Sequence, residues 1–441
     1  MDREHALELC QIVLSASRAD QTEIILSGSE QALTRYANNV IHQNVAEIET
    51  SASVRAVIGK RVGVASSTDT SPEGLRVLAD SAYQIARLAA TDEDFKSLPE
   101  PLPYDGPTDF VDPDTAAFGP EQRAEAVRQV IAVAGDSACH AAGAFSVGTA
   151  SYAIANSLGV ATYQARTGAE LSVLVASDNS SGYARSVSPR VAEINAAPLG
   201  RIAVEKCSAS ANPVDFEPCD CPVVLEPEAA GDMVMMLGFY DFGALAMQEG
   251  RSFMAGQMGQ KVCGDNISIW DDGHDPRGQR FAYDFEGMPK QRVDLIKNGI
   301  AEGVVWDTYT ANKAGRQSTG HALPAPSSWG PMPMNMFIGA GDSSLGEMVA
   351  SIERGILVTR FHYTNMVHPI KTVFTGMTRD GTFLIENGQI AHGVKNLRFT
   401  QSILEALSTV SAISKDGKLT DYVWSPSLKV DKFTFSSGTE F

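Results

Sequence analysis

Apolar and polar positions recur with two different periods along this chain, and the switches between them mark its elements. In REHALELCQIVLSASR (3–18) Ala6, Leu7, Cys10, Val13 and Leu14 fall at helical spacing, which predicts a helix. TEIILSGS, AEIETSASVRAVI and KRVGVASS follow, rich in Val, Ile and Thr and punctuated by Gly and Ser, and read as strands. SPEGLRVLADSAYQIARLA (71–89) returns to helical spacing, with Ser71 as a start signal and Pro72 in the first turn. Residues 93–118 hold five prolines and several aspartates and read as a linker. The order then recurs: a helix over GPEQRAEAVRQVIAVAG (119–135), then strands over AFSVGTASYAIANS, ATYQARTGAELSVLVAS and GYARSVS. We read a helix-plus-antiparallel-meander unit used twice, with Tyr36 matching Tyr152 and Gly63 matching Gly182. Two antiparallel sheets side by side, each with one face under helices, are expected.

The texture changes near CSASANPVDFEPCDCP. PVVLEPEAAGDMVMMLGFYDFGALAM reads as a strand entering a long apolar helix. Beyond about residue 260 come short segments with Gly, Asp and Asn turns, including FAYDFEGMPK, RVDLIKNGIAEGVVWDTY and TGMTRDGTFLIENGQIAHGVKNLRF. Regularly spaced short strands suit a barrel or sandwich. The expected class is α+β, with units at 1–92 and 119–215, a linker at 93–118 and a β-rich domain at 216–441. MNMFIGAGDSSLGEMVASIERG reads as strand, turn and helix. Its glycines miss the dinucleotide spacing, because the third, Gly346, is two places late; Ser344 and Glu347 fit a helix-capping box instead.

Charge narrows the function classes. The formal net charge is −18 and no Lys/Arg cluster offsets it, which argues against direct nucleic-acid binding. The six cysteines are sparse, and Cys219-Asp-Cys221 is one residue short of a zinc spacing and reads as a loop before a strand. No apolar run is long enough to span a membrane, and MDREHALELCQ has no apolar signal core, so the expected compartment is the cytoplasm.

Candidate chemistry is thin. GRQSTGH (315–321) and GAFSVG (143–148) miss the nucleophile-elbow pattern G-x-S-x-G, and no phosphate-binding P-loop is present. None of the eight histidines is spaced to put two imidazoles on one helix face. His362 and His368 flank YTNMV, and with His321 they make a metal trio only if the fold converges them.

Long stretches then resemble one family. QEGRSFMAGQMGQKV, FEGMPKQRVDLIKNGIAEGVVWDTYTANKAGRQSTGHALP, TRFHYTN and TGMTRDGTFLIENGQIAHGVKNLRFTQSILEAL are similar to the carboxyl half of the TldD/PmbA proteins, PmbA also being called TldE. The resemblance covers nearly all of the chain. It implies peptidases that trim leader segments from peptide precursors and degrade unfolded peptides, a family also named as modulators of DNA gyrase. In the TldD branch it implies a zinc held by H-E-x-x-x-H, on the helix preceding the R-S-x-F-x-G segment, together with a late cysteine; the motif's Glu serves as general base. Aligning Ser252–Gly256 puts that helix near Asp232–Ala246, where Met235, Met236, Leu237, Gly238, Phe239, Tyr240 and Asp241 stand. No His lies between 141 and 273; TGMTRDG offers Met377 and Arg379, and the last cysteine is Cys263. Thioether sulfur is a poor ligand for hydrolytic zinc.

The resemblance therefore implies a PmbA-like subunit with no metal or cofactor of its own, zinc being supplied by a TldD-like partner. The partner implied is a TldD-like metallopeptidase subunit or a second copy, and the substrate implied is peptide, added as a strand to an open sheet edge. The alternative is a self-sufficient peptidase using His321, His362 and His368 for a metal, or Asp241 and Glu249 as acid/base carboxylates beside Arg251. Arg251, Ser252, Glu286, Arg316, Thr319, Arg360, Arg379 and Asp380 are the groove candidates, with Glu249, His321 and His362 beside them. The plain reading of Arg379-Asp380-Gly381 is a hairpin turn, and of Arg316 and Arg360 structural ion pairs.

Overall fold

The computed structural model describes residues 1–438. Helix α1 spans Arg3–Ala16, capped by Asp2, whose carboxylate accepts from the His5 N–H. Strands β1 (Gln21–Ala37), β2 (Val40–Ile58) and β3 (Arg61–Ser67) form a meander, and α2 (Pro72–Leu88) follows with Ser71 as its cap. The second unit repeats this order: α3 (Pro120–Asp136), β4 (His140–Asn156), β5 (Ala161–Ala176), β6 (Ser181–Ser188) and α4 (Ala196–Ala209). Pro198 and Gly200 hide α4 in the sequence. Gly200 is there because α3 lies close: a Cβ would sit 3.4 Å from the Val130 Cα.

The two meanders are one sheet rather than two lying side by side. β1 and β4 pair antiparallel from Glu23↔Asn156 to Tyr36↔Gly143 and fuse them. Helices cover one face, and two apolar clusters fill the space beneath, one per unit. The repeat is visible in its glycines. A Cβ on Gly63 would meet the Ala86 backbone N of α2 at 2.2 Å, and one on Gly182 would meet the Ala203 O of α4 at 2.1 Å. Each glycine lets its helix sit on the third strand of its unit. The tyrosines do not correspond: Tyr36 is buried and donates to Ser172 O, whereas Tyr152 packs edge-on against Phe285. Residues 93–118 run along this sheet with Phe95 and Leu98 buried, Tyr104 stacked on His274, and Asp109–Phe110 paired to β5.

The C-terminal half builds an eleven-stranded sheet. Strand β7 (Asp220–Leu225) leads into helix α5 (Pro227–Tyr240), then come β8 (Arg354–His368), β9 (Val373–Glu386), β10 (Leu397–Ser402), β11 (Val410–Thr420) and β12 (Val423–Gly438). β7, β8, β9, β10 and β12 close into a ring, because β7 pairs parallel to β8 and antiparallel to β12. Phe361, Phe374, Phe399 and Phe433 pack ring to ring in its core. The short helix Leu345–Ala350 carries the expected capping box of Ser344 and Glu347. FAYDFEGMPK is no strand. It coils around the buried Asp284, whose Oδ1 accepts from the Glu286 and Met288 N–H groups and whose Oδ2 accepts from Ala322 N–H. Arg379-Asp380-Gly381 is no hairpin turn; it lies inside β9, where Asp380 (φ +53°) and Gly381 (φ +127°) distort the strand.

Gly182→Ala should lower stability by about 1–3 kcal/mol through overpacking against α4. Gly168→Ala, in the same sheet with open space at its Cβ, should be near neutral; chemical denaturation of both variants checks the pair.

Candidate functional site

The apolar helix of the sequence begins earlier than the family alignment places it. α5 starts at Pro227, and its polar positions are Glu228 and Asp232, one turn apart on one face. Ala229, Ala230, Met233, Val234 and Leu237 are fully buried, and Met235 is half-buried. The Asp232–Ala246 window thus misses Glu228, and it spans a break at Asp241 before the short helix Ala244–Gln248.

Glu228 and Asp232 border a cavity of about 140 Å³ between the two sheets, with Tyr183, Arg185, Arg360 and Asp421 on its walls. Cations already occupy one of the acids, Glu228. Arg185 contacts Glu228 at 3.6 Å and also binds Glu170 and Asp421; Lys418 Nζ lies 2.9 Å from Glu228. Arg360 stacks on Tyr183, 4.2 Å from the ring centroid, and its Nε donates to Asp380. Burial pushes the Asp232 carboxyl up to about 6 against a hydrogen bond from Thr364. A zinc ion does not fit this donor set: it offers two carboxylates without imidazole or thiolate, and Arg185 and Lys418 neutralise one of them. Among the described residues, no three His, Cys, Asp or Glu side chains are grouped to hold a metal ion.

At the other end of α5 lies an open cleft of about 610 Å³ lined by Tyr240, Glu249, Arg251, Trp329, His368 and Ile370. Three sequence candidates, Glu249, Arg251 and His368, meet here. Glu249 Oε2 accepts from Arg251 Nε at 2.7 Å, so this charge pair is internally satisfied. Trp329, half exposed, sits edge-on to Tyr240 with centroids 5.5 Å apart. Between cavity and cleft runs the second half of β8. β7 pairs only with Ile356–Val358, so beyond Val358 that edge of β8 carries no strand among the described residues, and Tyr363 and Val367 are exposed.

The other candidates are scattered. His321 is fully buried: Nε2 meets Asp271 Oδ1 at 2.8 Å and Nδ1 meets Thr319 O at 2.8 Å. Burial and the neighbouring Lys290 lower its pKa. The His trio, which needed the fold to converge it, does not come together: both ring nitrogens of His321 are engaged, and His362 and His368 lie along β8. Burial is outweighed at Asp271 by Lys290 and His321, which hold its carboxyl well below the usual range. Glu286 joins the two halves: Arg55 Nη2 donates to Glu23 at 2.7 Å and to Glu286 at 3.0 Å. Thr319 Oγ1 accepts from Trp306 N–H, and the Arg316 guanidinium lies 5.4 Å from the Trp306 ring centroid. Arg379 lies 3.8 Å from Asp380, and Asp380 also accepts from Ser181 Oγ. Ser252 Oγ donates to Asp241 O, and Asp241 Oδ1 accepts from Phe253 N–H, so Asp241 shapes the R-S-F-M turn.

Sequence reasoning missed Glu228, Asp232, Arg185, Tyr183 and Trp329. The first two carried a signal, acids four apart behind a Pro at the helix start; the other three come from distant segments and carried none.

Residues 218–437 match the profile of the PmbA/TldA metallopeptidase C-terminal domain, and residues 22–86 that of PmbA/TldA metallopeptidase domain 1. A Buchnera aphidicola metalloprotease TldD homolog is 31% identical over 39% of this chain and 36% of its own length. Metalloprotease PmbA of Escherichia coli O157:H7 is 23% identical over 81% of this chain and 79% of its own. The chain thus spans well under half of the TldD homolog it matches and most of the PmbA protein. TldE from Thermococcus kodakarensis shares the fold, with a TM-score of 0.85, 22% identity and coverage of 98% and 99%. A helix-backed sheet set against a closed β ring, with one buried helix between two recesses, places the chain among metallopeptidase-related proteins. It belongs to the PmbA/TldD family. No helix among the described residues is long and apolar enough to cross a membrane.

Burial raises Asp241 to about 7, so its neutral form is favoured in the fold. Its stabilising contribution is complete below the ordinary carboxylate range and is lost as pH rises through about 7. Asp241→Asn should melt several degrees above wild type at alkaline pH and close to it only at pH at or below the ordinary carboxylate range. Equal loss at both, by differential scanning calorimetry, would refute this.

Proposed function

We propose that this chain is a metal-free subunit of a peptide-processing assembly: it holds extended peptide while a TldD-like partner or a second copy completes the particle. The observation that carries this reading is the state of α5. On α5, Glu228 is held by Arg185 and Lys418 and Asp232 by Thr364, and the helix carries no His or Cys. Arg360, stacked on Tyr183, closes the same cavity. Such a network orders side chains and leaves no open coordination position for hydrolysis.

Peptide binding follows from the free edge of β8. Backbone groups there are available to an added strand, and the aromatic cleft continues the path past His368. Main-chain pairing of this kind favours unfolded peptide over any one sequence.

Two assays on the purified chain test the reading. Plasma mass spectrometry should find no stoichiometric metal, and peptide hydrolysis should appear only on adding a zinc-bearing partner and vanish with chelator. Chelator-sensitive cleavage by the chain alone would overturn it.

A further inference from the structure

The first sheet holds a recess of about 280 Å³ that shares no wall residue with the cavity or the cleft of α5. Phe145, Val147, Ala169 and Leu171 belong to the apolar cluster under the helices, so by alternation Gly148, Arg166, Gly168 and Glu170 face the other way, into the recess. Its floor is a cross-strand pair without side chains, Gly148↔Gly168 of β4 and β5. Packing accounts for the first glycine: a Cβ there would sit 2.8 Å from Glu30 O. It does not account for the second. Nothing lies within 4 Å of a Cβ on Gly168, so a side chain at that position would only fill the recess.

Arg166 stands on the wall, and no acid answers its charge. Its Nη1 donates to Gln279 Oε1 at 2.6 Å, its guanidinium lies 4.0 Å from the Phe281 ring centroid, and the Tyr152 hydroxyl is beside it; all three groups are neutral. Gln279 is fixed in that orientation because its Nε2 donates to Asp421 O. The neighbouring carboxylates are engaged elsewhere. Glu170, the one acid of the lining, accepts from Arg185 at 2.8 and 3.2 Å, and Asp421 accepts from the same guanidinium at 2.5 Å. Arg55, Arg185 and Arg360 each hold a carboxylate, whereas Arg166 holds none among the described residues. A guanidinium does not shed its proton, and a charge withdrawn from water is stable only when it is paired. Burial pulls the Arg166 pKa down, and the Tyr152 hydroxyl only partly opposes it.

We infer that this recess binds a carboxylate through Arg166, and that the carboxylate is the free C-terminus of a peptide. The guanidinium fork suits a carboxylate, which it can hold through two parallel hydrogen bonds. The recess is small for a ligand site, with room for the end of a chain rather than its length. Val187, Pro189 and Leu419 give it an apolar side for the last side chain, and the bare glycine floor lets an extended main chain lie flat on the sheet. The peptide as the source of the carboxylate rests on the peptide-holding role proposed for this chain; the carboxylate itself rests on Arg166.

Titration calorimetry of the full chain tests this with three probes: acetyl-Ala-Ala-Leu as the free acid, the same peptide as its C-terminal amide, and sodium propionate. The acid should bind at least about tenfold tighter than the amide, because hydrogen bonds to a charged group are worth about one to two decades of affinity. Arg166→Gln should abolish that difference and melt at or above the wild-type temperature, since it removes an uncompensated charge; an arginine with only a structural role would lose stability instead. Gly168→Val is the second variant. It fills the recess from a strand position with open space and should lose binding of the acid while remaining folded. Acid and amide binding alike, or a preference for the acid that survives both substitutions, would overturn the inference and leave peptide binding at the β8 edge standing. Propionate bound in an Arg166-dependent way, with neither peptide bound, would keep the carboxylate site and defeat the peptide reading.

Discussion

Burial of α5 is the constraint on which the C-terminal half depends. The ring of β7, β8, β9, β10 and β12 and the loops around it leave Ala229, Ala230, Met233, Val234 and Leu237 without water contact. A helix enclosed on so many sides must be apolar around most of its circumference, and that is why its sequence shows little amphipathic stripe. The methionines follow from the same demand. Unbranched and polarizable, they fill an irregular space between the strands and the Trp329 loop; Met336 lies against Gly238, where a Cβ would come within 2.5 Å of its terminal methyl.

Polar residues survive on α5 only where it faces the first sheet, and there the junction is ionic. Arg185, Glu228, Lys418, Asp421 and Glu170 form one network, and Arg55, Glu23 and Glu286 form another. Burial raises Glu23 to about 7 and Asp284, beside Glu286, to about 8. Charges taken out of water add little net stability even when paired, but a partner removed leaves an uncompensated charge behind. The two halves of the chain are therefore fixed in orientation by groups that tolerate only one arrangement. The cavity beside Asp232 and the free edge of β8 owe their positions to that arrangement.

Residues with equal claims in the sequence have unequal roles. Glu249, Arg251 and His368 border one cleft, while His321 and Glu286 are consumed by buried networks with Asp271 and Arg55. A histidine in a strand-rich segment looks the same in sequence whether it faces solvent or a buried carboxylate; the partner, Asp271, is fifty residues away along the chain.

What the sequence determined by itself is local or repeated. Helical spacing, the Ser71 and Ser344 caps and the duplicated order of helix and meander were legible because each depends on neighbours a few residues away. So was the lack of His between residues 141 and 273, which sets the chemistry of α5 before any fold is known. Glu228 on α5 and the helix over 196–209 were obscured, one by an alignment anchored downstream and the other by Pro198 and Gly200. Only the tertiary structure decided that the two meanders fuse through β1 and β4, that the ring closes through β7, and that Arg185 reaches Glu228. Each of these joins backbone edges or side chains far apart in the chain. Edge pairing is set by which strands meet in space, and an ion pair by where two folded surfaces touch, and neither leaves a periodic trace in the order of residues.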